Sequence, residues 1–174
     1  MAGVGSPLTP TYLLMDRLVK YVIAGTAPAV QFAQGWIPAD GPTNTVARAR
    51  IVLSTVTVGA VLTALIFAWG ADDAARVLSH GRANVGQPEL ALFSLLVGLL
   101  VLTQVNALAV LVPLGLDRLL AVSTAVGAIV LVLAGLAAAA DASLPGILTV
   151  TLAVEGAILT TQLGGALHRR RTAL

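Results

Sequence analysis

The sequence predicts an all-α integral membrane protein, a helical bundle of about five transmembrane helices forming a single domain over residues 1–174. Two observations carry this. The first is composition: 57% of residues are hydrophobic, 10% are charged and the mean hydropathy is +0.94. Soluble domains carry roughly 25% charged residues, and so few charges cannot cover a water-facing surface. Disordered chains, coiled coils and soluble enzymes are therefore excluded. The second is the length of the stretches free of Asp, Glu, Lys and Arg: 21–39, 51–71, 90–116 and 119–140, with 142–167 interrupted only by Glu155. Each approaches or exceeds the roughly 20 residues that cross a hydrocarbon core of about 30 Å.

The first helix is expected over 11–36, between Pro10 and Pro38. Pro28 lies inside it and deprives a carbonyl near Ala24 or Gly25 of its donor, which predicts a kink. The second is expected over 48–70, the third over 90–113, the fourth over 117–140 and the fifth over 144–167. Pro42, Pro88 and Pro145 mark ends, as residues without a backbone donor should. Between the second and third helices, ADDAARVLSHG predicts a separate short interfacial helix. Asp72 and Asp73 would lie in its first turn and Gly81 at its C-cap. The start of the chain, MAGVGSPLTP, has no positive n-region, so no cleavable signal is expected.

With an odd number of crossings the termini fall on opposite sides. One side collects Arg48, Arg50, Arg118, Arg169, Arg170 and Arg171, six in all, and the other Arg76 and Arg82. The positive-inside rule then puts the C-terminus in the cytoplasm. Nine Arg against one Lys, amid abundant Ala, Val, Leu and Gly, suggests a GC-rich bacterial coding sequence and hence a bacterial inner membrane.

Soluble-enzyme signatures such as GxGxxG, the P-loop, HExxH and GxSxG are absent, and there is no cysteine. His80 and His168 are isolated, whereas a metal site needs converging ligands. No catalytic residue, metal, cofactor or nucleic-acid partner is expected. The informative positions are polar groups inside apolar helices, because a charge at the bilayer centre costs roughly 2.5 to 3.5 kcal/mol on insertion scales. Asp16 and Lys20 are four residues apart and can pair, with Arg17 beside them. With Thr26, Gln31 and Gln34 they form a polar stripe along the first helix, and Tyr12, Lys20 and Gln34 share a broad face. This stripe reads either as the lining of a water-filled substrate path or as side chains snorkelling to the interface. Glu155 falls mid-helix among Thr149, Thr151, Thr160 and Thr161, and reads as a functional group or as a neutral, hydrogen-bonded one. Gln104 and Asn106 read as amides cross-linking helices, and Gly127, Gly135 and Gly156 as packing positions.

The string MDRLVKYVIAGTAPAVQFAQGWIP, followed by ARARIVL, resembles the actinobacterial polysaccharide and oligosaccharide flippases of the multidrug/oligosaccharidyl-lipid/polysaccharide exporter superfamily. Asp16, Arg17 and Leu18 match the start of the family's segment, Pro28 its proline, and Gln31, Gly35, Trp36 and Pro38 its end. LGLDRLLAVSTAVGAIV is similar to the turn between two late helices, and LTVTLAVEGAIL to the last helix with its embedded Glu. The resemblance covers the final five helices of a fold that has twelve to fourteen, most of one lobe. It implies a truncated or split transporter component that moves lipid-linked sugars or exopolysaccharide precursors. Asp16, Arg17, Lys20, Gln31 and Glu155 would be its substrate-binding residues. The implied partners are membrane lipids, a lipid-linked glycan, and a second transporter lobe or further copies of the chain. The alternative is a small non-transporting subunit that scaffolds an envelope-synthesis complex, with Asp16 to Lys20 as its docking pair. The arginine distribution makes a direct prediction: reporters fused after Leu174 should score as cytoplasmic and reporters inserted in 71–89 as external. The reverse pattern would remove both the orientation and a support of the resemblance.

Overall fold

The structure, a computed structural model, describes residues 8–39, 42–81, 85–138 and 143–172. All regular structure among them is helical: α1 (Leu8–Gly25), α2 (Ala27–Trp36), α3 (Pro42–Leu78), α4 (Gln87–Val105), α5 (Asp117–Ala138) and α6 (Leu144–Thr172). A π-helical turn, Asn106–Leu111, continues α4. Among the described residues four stretches are long and apolar enough to cross a membrane: Asn44–Leu78, Gln87–Leu111, Asp117–Leu136 and Leu144–Gly165. The expected first span is two helices. Its break falls at Thr26, where the hydroxyl and the N–H both donate to Ile23 O (2.7 and 3.0 Å). Pro28 then opens α2, at a position where its missing N–H costs no bond.

The expected boundary at Gly70 is corrected. α3 runs without interruption from Pro42 to Leu78, so the segment read as a separate interfacial helix is its last two turns. Nothing in ADDAARVL breaks a helix; only the hydropathy falls. Asp72, expected at a helix start, lies within α3 and pairs with Arg76 at 2.5 Å. The stop comes where expected. His80 N–H bonds Val77 O and Gly81 N–H reaches back to Arg76 O at 2.7 Å, with φ of 54° at His80 and 77° at Gly81. This is a Schellman-type end in which the left-handed positions are His80 and Gly81. α5 and α6 begin at Asp117 and Leu144 as expected, and α6 continues beyond 167 to Thr172.

α4 is the central strut. Of its most apolar stretch 61% is buried, against 11–17% for the other three. It packs against α3, α6 and α1, while α5 lies outside, against α6. The interior is layered along the helices. At one end Met15 and Val19 of α1 meet Phe67, Ala71 and Ala75 of α3 and Phe93 and Val97 of α4. In the middle Val30 and Ala33 of α2 meet Ala60, Val101 and Val105. At the other end Ile37 meets Ala49 and Val110. Outward positions are apolar too, Ile66 at 68% and Trp69 at 89% exposure among them. A surface of that kind suits lipid as the solvent.

Small residues set the closest approach. A Cβ on Gly98 would stand 3.0 Å from Ala64 Cβ and 3.1 Å from the Ala60 carbonyl oxygen, so α3 and α4 meet backbone to backbone. Gly127 does face α6, against Ile158, but Gly135 and Gly156 have nothing within 4 Å and are not contact positions. Gly98→Ala should therefore destabilise the bundle by about 1–3 kcal/mol through overpacking. Gly135→Ala should be neutral or stabilising by up to about 1 kcal/mol through helix propensity. Reversible unfolding of both variants in mixed micelles measures the difference; equal stabilities would refute the α3–α4 contact.

Candidate functional site

The polar groups fall into two sets. One is a seam inside the bundle. On α6, Glu155 and Gln162 are seven residues apart and share the face turned toward α4. Thr103 Oγ1 and Glu155 Oε2 are hydrogen-bonded at 2.8 Å, and Asn106 Nδ2 donates to Gln162 Oε1 at 2.8 Å. Gln162 Nε2 makes a long contact, 3.5 Å, with Ser123 Oγ on α5, and that hydroxyl donates to Leu120 O at 2.9 Å. Asn106, Gln162 and Ser123 are buried, and Glu155 is half-buried. The seam ties α4, α5 and α6 where apolar packing alone would leave their rotation loosely fixed.

The π turn below the seam has a local cause. Val112 N–H bonds Ala107 O rather than Leu108 O, and the next residue, Pro113, has no N–H to offer. Leu108 O is left without a backbone donor, and Gln34 Nε2 of α2 supplies one at 3.0 Å. The chain then turns at Gly115, φ 64°, whose neighbour Leu116 donates back to Leu111 O. Beside it Arg48 of α3 donates to Trp36 O at 2.6 Å, its guanidinium 4.9 Å from the centre of the Trp36 ring. α2 is thus held at its C-terminal end by two side-chain to carbonyl bonds.

The second set lies on α1. Lys20 Nζ donates to Asp16 Oδ2 at 2.5 Å, with side-chain exposures of 71% and 31%. Arg17 is exposed and has no ion-pair partner among the described residues. Gln31 is exposed on α2. The expected shared face of Tyr12, Lys20 and Gln34 is divided: Tyr12 is half-buried with its ring 6.2 Å from Phe93, Lys20 points outward, and Gln34 turns inward to Leu108. Of the five residues read as a binding set, the structure joins Asp16 to Lys20 and leaves Arg17 beside them. Glu155 has its partner on α4 instead. A cavity of about 330 Å³ opens between α3 and α4, lined by Thr57, Ala60, Ala64, Gly98 and neighbouring aliphatic side chains, and none of the five lines it.

Sequence reasoning found Asn106 as a cross-linking amide but not its partner. Gln104 is exposed and plays no such part. Gln162, Ser123 and the role of Gln34 were missed. Pro113 five residues after Leu108, with Gly115 beyond, was the available signal for a displaced helix end. Among the described residues no group of three or more His, Cys, Asp or Glu could hold a metal ion. Comparison with models of protein families, with curated proteins and with solved structures finds no match.

The seam can be weighed directly. In a double-mutant cycle of Asn106→Ala and Gln162→Ala the coupling should be about 0.6 to 1.7 kcal/mol, the range for hydrogen bonds between membrane helices. Additive losses would mean that the two amides do not pair.

Proposed function

We propose that the chain crosses the membrane five times and forms one lobe of a bacterial inner-membrane transporter for lipid-linked sugars or exopolysaccharide precursors. α1 and α2 together make the first crossing, and α6 ends in the cytoplasm. Depth along α3 supports the placement: Trp69 and Arg48 are 21 residues apart, about 31 Å at 1.5 Å per residue, which matches a hydrocarbon core of about 30 Å. Trp69 would then stand at one interface, and Trp36 with Arg48 at the other, where indoles and guanidinium groups are at home.

The observation that carries the transport reading is the charge arrangement on α1. Asp16 and Lys20 neutralise one another, so the exposed Arg17 is a net cation on an otherwise apolar outer surface. A phosphate or an acidic sugar is a fitting counter-ion, which a guanidinium grips in two parallel hydrogen bonds. Because Arg17 points away from this chain's own bundle, the site is completed by a second lobe or a second copy. The resemblance of the 15–38 segment to the oligosaccharide flippases supports the same reading. The scaffold alternative draws on one specific observation: the cavity between α3 and α4 is apolar and none of the α1 charges reaches it.

Binding separates the two. In bilayer nanodiscs large enough to hold two copies, the chain should bind a polyprenyl-diphosphate sugar in preference to the neutral polyprenol. Arg17→Ala should weaken that binding about tenfold, as expected for loss of a charged hydrogen-bond pair, and Arg17→Lys should restore only part. Equal binding by Arg17→Ala and the native chain would favour the scaffold.

A further inference from the structure

The Thr103 hydroxyl lies between two acceptors. Its oxygen is 2.8 Å from Glu155 Oε2 and 3.2 Å from Leu100 O, one turn back on its own helix. A hydroxyl has one proton to give. Against an ionised Glu155 only one of the two contacts can be a hydrogen bond. Against a protonated Glu155 both can be: the acid donates to Thr103 Oγ1, and Thr103 donates to Leu100 O.

The surroundings choose between these cases. Glu155 stands midway along Leu144–Gly165, the part of α6 apolar enough to cross a membrane. α4 and α5 pack against it. From Leu90 to Leu111, α4 and its π turn carry no ionisable side chain. α5 carries only Asp117 and Arg118, in its first turn. That turn lies by Leu119, which packs against Gly165, almost three turns from Glu155. α6 itself has no second ionisable group between Leu144 and Gly165. A carboxylate there would have one hydroxyl for stabilisation and no cation, an arrangement that apolar surroundings penalise heavily.

We propose that Glu155 is a proton-binding site inside the bundle, occupied at rest. Its acid proton stays on the carboxyl and is donated to Thr103 Oγ1, and the relay Glu155 to Thr103 to Leu100 O reverses at its first step when the proton leaves. On release the Thr103 hydroxyl swings from Leu100 O to the new carboxylate, which is the donor that makes the ionised form tolerable. The ligand is a proton, and Thr103 is a positioning residue for it. The inference rests on the membrane placement but not on the transport reading.

The composition makes the test direct, because Glu89 and Glu155 are the sole glutamates of the chain. With glutamate labelled by carbon-13 at its side-chain carboxyl, and the full chain in lipid bilayers, only two labelled side-chain carboxyls are observed, and Glu89→Gln leaves Glu155 alone. Near neutral pH the remaining signal should be that of a carboxylic acid, and Thr103→Val should shift it by removing the acceptor. A carboxylate signal that follows bulk pH would overturn the proposal, as would an acid signal indifferent to Thr103→Val. Quenching of Trp36 and Trp69 by brominated lipids checks the membrane placement independently. A failure there would be distinguished from a failure of the proton site.

Discussion

In an apolar medium every backbone carbonyl that a helix irregularity exposes must find a donor within the protein, since no water is present to supply one. Three places show how that requirement is met in part. At Thr26 the donors are local, the threonine's own hydroxyl and N–H, both folded onto Ile23 O. At His80 and Gly81 it is satisfied by backbone donors turned back through positive φ. At Leu108 neither solution exists, because Val112 bonds elsewhere and Pro113 has no N–H, and a side chain from another helix is recruited. The third case has long-range consequences: the donor is Gln34, so the π turn of the central strut fixes where α2 must lie. With Arg48 bonded to Trp36 O, α2 is anchored at its C-terminal end, while the break at Thr26 frees its direction from that of α1.

The starts of α5 and α6 and four of the five expected spans were legible in the sequence, because hydropathy and proline mark them strongly. What hydropathy does not mark is where a helix ends. The ADDAARVL segment leaves the apolar run without leaving the helix, so α3 extends two turns past the expected boundary. Packing faces were half legible for a related reason. Glycine spacing indicates where a close approach is possible, but it does not tell which face has a neighbour. Gly127 meets Ile158, Gly135 meets nothing, and Gly98, which brings α3 and α4 together, stands in a run of apolar residues that gave it no emphasis. The seam was legible as residue types and illegible as pairs. Asn106 and Gln162 are 56 residues apart, and only the antiparallel packing of α5 and α6 beside α4 brings them level.

The two polar sets differ in what they do for the bundle, and that difference bears on function. The seam crosses between helices: each bond joins α6 to α4 or α5, so it orients the helices as well as satisfying polar groups. The α1 set crosses nothing. Asp16 and Lys20 pair within one helix, and Arg17 pairs with no described residue. Side chains on a helix lean toward its N-terminus, so Lys20 reaches back along α1 toward Asp16 and toward the end of the bundle where Trp69 lies. In the proposed membrane placement that end lies at an interface, where the cost of a cation is smallest, which explains how the set is tolerated but not what it accomplishes. Exposed ion pairs contribute little to stability, roughly 0 to 1 kcal/mol, and an unpaired arginine contributes less. On the reading proposed above, residues that hold no helices together and stand on an apolar surface are placed for a partner lobe or a ligand. A lobe or a ligand that meets α1 would find one uncompensated guanidinium there, with its neighbours already neutral.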